Sequence, residues 1–270
     1  MDKIESYDQC VKLIKEFTRK AGHITTNCYI LPNEMRHMID SKLIYYQISK
    51  DILVLYIDES DYMHIYYWIT DETLPVIKQT EKVVVLDLVA RGKENPEEQR
   101  WEKAGFKPYK LYTRMKYDLF NWHRHDISDL RDNLCAISPA RASDLKNIYL
   151  LWRECLDWYS TPLPTESEIE WMAASGHIYC ARHHTDIIGA VYMDAASKSC
   201  VLKHLSIGRD YRRQGFGSFL MDYALKAMVE EGIEKCILWV DIDNTPAYEN
   251  YVKYGFEQDG LWSRQMIWRN

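Results

Sequence analysis

The fold is decided by the stretch Cys200–Asn244, which reads CVLKHLSIGRDYRRQGFGSFLMDYALKAMVEEGIEKCILWVDIDN. Its first eight residues are typical of a strand. After Gly217, the i, i+3, i+4 spacing of apolar residues predicts a helix that stops at Gly232. Between strand and helix lies a glycine turn, where Gly215 and Gly217 let successive backbone N–H groups point at one spot, and the helix N-terminus adds its positive dipole end. A strand, a glycine turn and a helix in this order are suited to binding a phosphate or diphosphate.

The charge around this turn supports the same interpretation. Between residues 203 and 213, Lys203 and three arginines stand against Asp210, which gives a local charge of +3 in a chain of net charge -6. The turn lacks the full G-x-G-x-x-G of a dinucleotide-binding loop and the G-K-[ST] of a P-loop. By itself, the pattern also fits a plain surface turn with arginines.

A second motif follows at a fixed distance. Asn244 or Thr245 is expected to cap a helix that has Pro246 in its first turn and ends at Gly255. On this helix Ala247, Tyr251 and Tyr254 share one face. Tyr251 is therefore carried to a fixed place beside the carboxyl end of the preceding strand, where a phenol could protonate a leaving group.

Together the two motifs resemble the GNAT superfamily of acyl-CoA-dependent N-acyltransferases. The segment Arg212–Gly217, RRQGFG, matches the family's pyrophosphate loop [Q/R]-x-x-G-x-[G/A] at every constrained position. The later family signature matches Asn244, Ala247, Tyr251 and the pair Gly255-Phe256. The resemblance covers about residues 136–270.

The resemblance implies acetyl-CoA or another acyl-CoA as the acyl donor, a small amine or a peptide amino group as the acceptor, and no metal. The pantetheine arm is expected along one strand and the pyrophosphate on the backbone N–H groups of the turn. The expected donor-binding residues are Leu205, Ser206, Ile207, Arg212, Arg213, Gln214, Gly215, Phe216, Gly217, Ser218 and Asn244. A backbone N–H near Ile207 would stabilise the oxyanion, and Tyr251 would be the general acid.

The general base is where the sequence departs from the family pattern. Well-known members carry Glu or His at positions that are Lys203 and Val201 here. Strand alternation places His204 on the opposite face, where we expect a packed or surface imidazole. A water chain that reaches Asp241 or Asp243 is the remaining expectation for the proton's route.

The first half of the chain resembles the second. Shifting Trp101–Arg114 by 150 residues onto Tyr251–Arg264 aligns identical residues at five of fourteen positions. We therefore expect a mixed α/β (α+β) protein of two GNAT-like domains, each a mostly antiparallel twisted sheet flanked by helices: 1–118, a linker at 119–135, and 136–270. Only 13 residues, 70–82, separate two first-half strands, and they contain neither glycine nor arginine. The first domain is thus predicted to be a degenerate copy without the phosphate turn.

Composition limits the function classes. The chain is 47% hydrophobic and 27% charged, which is typical of a globular protein. Its negative net charge gives no general attraction to nucleic acid, and no stretch is long or apolar enough for a signal peptide or a membrane span, so we expect a cytoplasmic protein without a membrane or nucleic-acid partner. The seven cysteines contain no C-x-x-C pair and are expected as reduced core residues. His123, His125 and Asp126 are interpreted as a solvated linker and not as a metal site.

Three functions remain open at this point. The preferred one is an N-acetyltransferase that uses acetyl-CoA. One alternative is an acyl-CoA-binding sensor or scaffold that kept the turn and lost turnover. The other is an aminoacyl-tRNA-dependent transferase, which the net charge of -6 disfavours because such an enzyme needs a basic RNA-binding surface.

Overall fold

The computed structural model describes residues 1–20, 23–70, 73–78, 80–92, 95–122, 135–160 and 163–269. Two compact units are present: Met1–Tyr112 with Leu261–Asn270, and Thr113–Gly260. The described helices and strands form mixed, mostly antiparallel sheets with flanking helices, as expected for the fold class. Most of the expected linker, including His123, His125 and Asp126, lies outside the described residues.

The first unit differs from the expected domain 1–118 because it includes the end of the chain. Residues Leu261–Trp268 pair antiparallel with Arg91–Val84 and so complete the sheet of the first unit. The aromatic and aliphatic residues of 261–268 are typical of a strand. Such a composition does not identify the partner strand, since it does not determine which sheet edge is joined.

In the first unit the helices and strands follow in the order β1 (Asp2–Lys3), α1 (Tyr7–Lys20), β2 (Ile24–Thr26), α2 (Pro32–Ser41), β3 (Ile44–Ile48), β4 (Ile52–Asp58), β5 (Tyr62–Thr70), β6 (Val83–Arg91), α3 (Pro96–Lys103) and β7 (Lys107–Asp118), whose last residues belong to the second unit. The sheet order is β1-β3-β4-β5-β6, then the strand β13 (Glu257–Trp268) through its residues 261–268, and β2 pairs with β5.

The core of this unit lies on both faces of the sheet. On one face, Trp101 of α3 is fully buried against Tyr67 and Phe106, with ring centroids 4.8 and 4.9 Å away. On the other, Cys10 and Phe17 of α1 pack on the strands. The i, i+3, i+4, i+7 spacing of Cys10, Leu13, Ile14 and Phe17 accounts for α1, and the β-branched and aromatic residues of β4 and β5 are typical of strands.

The second unit contains β8 (Ala136–Pro139), α4 (Leu145–Cys155), α5 (Glu166–Ala174), β9 (Ile178–His183), β10 (Asp186–Ala196), β11 (Ser199–Ile207), α6 (Phe216–Glu230), β12 (Lys235–Asp241) and α7 (Thr245–Tyr254). Its strands are ordered β7-β12-β11-β10-β9-β8, with β11 and β12 parallel. One face carries α6 and α7, and the other carries α4 and α5.

The two units share a strand arrangement. In each, a parallel pair is in register over the first three residues of both strands: Tyr62–His64 with Val83–Val85 in the first unit, and Ser199–Val201 with Lys235–Ile237 in the second. Ser199, the equivalent of Tyr62, lies 137 residues after it in the sequence. Lys235, the equivalent of Val83, lies 152 residues after it. The difference of 15 residues equals the length of α6. The described residues between β5 and β6 contain no helix, so the first unit has no counterpart of α6 there.

Candidate active site

The candidate site begins where β11 and β12 separate. Among the described residues their register ends at the pair Val201 and Ile237, although β11 runs on to Ile207 and β12 to Asp241. The carboxyl halves of two parallel strands therefore diverge. Such a gap offers strand N–H and C=O groups to an extended ligand, and ligands of open α/β sheets bind at carboxyl ends of this kind.

A β-bulge lies at the start of this gap. The register of β10 with β11 passes from Tyr192–Lys203 to Ala190–Ser206, so an extra residue is inserted into β11. His204 is the residue with the left-handed conformation, φ 55°. A bulge bends its strand and increases the local twist, which is a physical cause for the divergence from β12.

His204 was expected to be a packed or surface imidazole. The structure agrees with that outcome, but the bulge changes the reason for it. Its ring packs on Trp152 with centroids 4.9 Å apart, and its Nδ1 is buried with no partner in the described part of the chain. Burial, and secondarily the charge of Lys203, lowers the pKa of His204 to about 4. The imidazole is therefore a packed neutral group, as expected, but strand alternation was the wrong reason because the bulge interrupts it.

The glycine turn has the geometry that the sequence predicted. Gly215 adopts φ 85° and is the N-cap of α6, a conformation that favours glycine, and Arg213 is also left-handed at φ 61°. Gln214 Nε2 donates to the Asp210 carbonyl at 2.8 Å and braces the turn. Gly217 is already helical, and a Cβ there would come within 3.6 Å of Ile207. The first turn of α6 thus packs against the end of β11.

The local charge is smaller than the sequence arithmetic suggested. Lys203 Nζ lies 2.6 Å from Asp194 Oδ2, and Arg209 Nε lies 3.5 Å from Glu154 Oε1. Both cations are therefore offset by carboxylates from other elements. Arg212 and Arg213 remain as the cations next to the turn, and Arg212 Nε donates to the Ile207 carbonyl at 2.9 Å, which ties the turn to the strand end.

The three strand residues expected to hold the pantetheine arm lie along the gap. Leu205 and Ile207 are partly buried against the core on the α6 side. Ser206 is 5% exposed, and its hydroxyl has no hydrogen-bond partner among the described residues. A buried hydroxyl without a partner costs stability, so this side chain is an unfavourable feature of the strand unless water or another group bonds to it.

Helix α7 carries the second motif. The Asn244 side chain accepts from the Ala247 N–H at 3.4 Å, and Gly255 ends the helix with φ 95°. Asn244 is thus the helix cap, as the sequence suggested, and its side-chain oxygen serves the helix. Tyr254 Oη donates to the Ser218 carbonyl at 2.7 Å, which joins α7 to the first turn of α6.

Tyr251 lies in the core cluster beneath α7, 7% exposed, with its ring 5.7 Å from that of Phe256. Burial, with a smaller contribution from the nearby Cys236 thiol, raises the pKa of the Tyr251 phenol well above its usual value. A phenol in this environment stays protonated at neutral pH. That is the protonation state that a general acid needs.

The residues considered for the general base are Lys203, Val201, Asp241 and Asp243. Lys203, at one family base position, lies in the ion pair with Asp194, with 2.6 Å between Nζ and Oδ2. Asp241 ends β12 and accepts the Asp243 N–H at 3.1 Å, so these two carboxylates share one turn at the carboxyl end of the diverging strands. Val201 carries no ionisable group.

Other kinds of site find no support in the described ranges. No group of three or more His, Cys, Asp or Glu side chains there could hold a metal ion. No described helix is both long and apolar enough to cross a membrane. All seven cysteines are free, and four of them are buried.

Comparison with known proteins agrees with this geometry. Residues 145–256 match the model of the acetyltransferase (GNAT) family. Mycothiol acetyltransferase from Corynebacterium aurimucosum is 26% identical over 156 residues, which are 57% of this chain and 45% of that protein. The chain thus spans about half the length of this curated relative.

Solved structures share the fold at low sequence identity. A GCN5-related N-acetyltransferase from Sphaerobacter thermophilus has a TM-score of 0.62 at 11% identity, over 88% of this chain and 85% of that one. A tandem GNAT protein from the clavulanic acid biosynthesis pathway has a TM-score of 0.60 at 10% identity, over 98% of this chain and 97% of that one. The motifs, the diverging strands and the family match agree: the part of the chain from residue 145 to residue 256 is an acetyltransferase domain of the GNAT family.

Proposed function

We propose that the second unit transfers an acyl group, in the simplest case acetyl, from acyl-CoA to a primary amine of a small molecule or peptide. The observation that carries this proposal is the glycine turn at the N-terminus of α6, set beside the gap between β11 and β12. A diphosphate at the turn and an extended arm in the gap together match the shape of an acyl-CoA.

In this proposal the donor is held by the strand and the turn. Backbone groups of Leu205, Ser206 and Ile207 bind the pantetheine arm along the gap. The N–H groups of residues 213–218, with Arg212 and Arg213, bind the pyrophosphate. Asn244 contributes by fixing the start of α7.

The chemistry is a direct transfer. The neutral amine attacks the thioester carbonyl, a C–N bond forms and the C–S bond breaks, and the leaving thiolate takes a proton from Tyr251. Tyr251 is in its protonated form before this step. The amine's own proton leaves through water toward Asp241 or Asp243, since Lys203 is paired with Asp194.

The acceptor is defined only as an amine. Exposed tryptophans lie on the elements after β8: Trp171 on α5 is 60% exposed and Trp158 after α4 is 37% exposed. These indoles would line an aromatic acceptor pocket. The similarity to mycothiol acetyltransferase does not identify the acceptor of this chain, because the aligned part covers 45% of that protein.

The direct test is release of free CoA thiol from acetyl-CoA in the presence of a panel of amines and amino-terminal peptides. The proposal expects thiol release that depends on one class of amine, with an N-acetylated product of matching mass. CoA binding without turnover for any amine would favour the sensor or scaffold instead. Turnover only with a charged tRNA would favour the aminoacyl-tRNA-dependent transferase.

A further inference from the structure

The gap between diverging parallel strands exists in the first unit as well, but there it is filled. Strand β5 is in register with β6 only at Tyr62–His64, although both strands run on to Thr70 and Arg91. Beyond this pairing β5 is bonded on the same side by β2, antiparallel, with Ile24 opposite Thr70 and Thr26 opposite Trp68. A three-residue strand of the chain itself therefore lies along the carboxyl half of β5.

The position of β2 can be compared with the donor strand of the second unit. The shift of 137 residues that carries Tyr62 to Ser199 carries Trp68–Thr70 to Leu205–Ile207. The bulge at His204 lengthens β11, and the register of β4 with β5 has no such irregularity, so the equivalence is good to within one residue. The residues that bond to β2 are thus the counterparts of the residues to which we assign the pantetheine arm.

Asn27, directly after β2, closes the gap. Its side chain is 7% exposed and bridges both diverging strands. Nδ2 donates to the Ile65 carbonyl at 3.1 Å and to the Asp87 carbonyl at 3.2 Å, and Oδ1 accepts from the Tyr67 N–H at 2.8 Å. The Asn27 amide therefore forms hydrogen bonds with two backbone groups of β5 and one of β6. These groups lie where β5 and β6 diverge and no longer pair with each other.

We propose that residues 24–27 are an internal ligand, which occupies in the first unit the place that the acyl-CoA arm takes in the second. The assignment of the donor strand rests on the proposed function; the occupancy of the gap by β2 and Asn27 does not. Two features then set the first unit apart: β2 fills its gap, and the described residues between β5 and β6 contain no counterpart of α6.

Amide hydrogen exchange of the whole chain tests the proposal. Asn27→Ala removes the bridge, so exchange of the backbone amides at 65–70 should accelerate tenfold or more while those of the second unit keep their rates. Asn33→Ala, an exposed asparagine on α2, is the matched control and should leave residues 65–70 unchanged. In the wild-type chain, saturating CoA should slow exchange at 204–218 and leave 65–70 as they were.

Two results would overturn the proposal. One is unchanged exchange at 65–70 in Asn27→Ala, which would mean that the asparagine does not hold the gap. The other is protection of 65–70 by CoA in the wild-type chain, which would mean that the gap is open; this arm does not depend on whether the variant folds. Failure of CoA to bind anywhere would contradict the proposed function alone, because the Asn27 comparison would still decide the role of β2.

Discussion

Gly215 is the residue whose backbone conformation the donor site needs most. Its φ of 85° is strained for any residue with a side chain, and a side chain there would also crowd the diphosphate site that we propose at the start of α6. Gly215→Leu should raise the dissociation constant of CoA by tenfold or more, which is about 1.4 kcal/mol, by calorimetry. Gly232→Leu is the control, since Gly232 has φ 79° with open space around it at the other end of α6. Equal CoA affinity in both variants would remove the turn from the donor site.

Tyr251 can be tested without disturbing the core. Tyr251→Phe keeps the ring that packs near Phe256 and removes only the phenol oxygen. We expect CoA affinity to persist and turnover to fall by roughly 10²-fold, because a general acid contributes at that scale. Tyr248→Phe, on the same helix, should keep its turnover. Wild-type turnover in Tyr251→Phe would transfer the proton-donor role to water or another side chain.

His204 makes stability depend on pH in a defined direction. Its pKa is lowered to about 4 in the fold from an ordinary value of 6.5, so the stability that the neutral imidazole allows is present above pH 6.5 and is lost as the pH falls toward 4. His204→Asn suits the left-handed backbone and does not titrate. Urea unfolding at pH 7 and pH 4.5 should show a loss of roughly 1 to 3 kcal/mol in the wild type that the variant lacks. Parallel losses in both would contradict a buried neutral His204.

At the scale of elements, local patterns predicted most of the second unit. The strand at 200–207, the helix after Gly215, and the helix from Asn244 to Gly255 lie where alternation, glycine and capping residues placed them. The bulge at His204, the strand β2 and the partner of the last strand were not predictable in this way. Each depends on which backbone edges meet in space, and neither side-chain periodicity nor turn chemistry encodes that choice.

The last strand gives an element-scale prediction. Residues 261–268 form eight residue pairs with β6, and Met266 is fully buried in the first unit. A chain that ends at Gly260 should therefore unfold its first unit at lower urea, with faster amide exchange at 84–91. A chain that ends at Trp268 keeps all eight pairs and serves as control. Full protection of 84–91 in the shorter chain would show that β13 contributes little to that sheet.

At the scale of the molecule, the two units have the same parallel strand pair and use it differently. The second has α6, the glycine turn and the gap between β11 and β12. The first has no described helix between β5 and β6, and β2 fills the gap. We therefore interpret the first unit as a degenerate copy, and this interpretation remains a prediction.

A calorimetric titration of the whole chain with CoA tests the donor site most directly. We expect one molecule of CoA per chain, and Gly215→Leu should weaken that binding tenfold or more while Asn27→Ala leaves it in place. Two equivalent sites per chain would contradict the closed first unit. No binding at all, by a folded chain, would contradict the donor site at Leu205–Ile207 and residues 212–218, and with it the proposed acyl transfer.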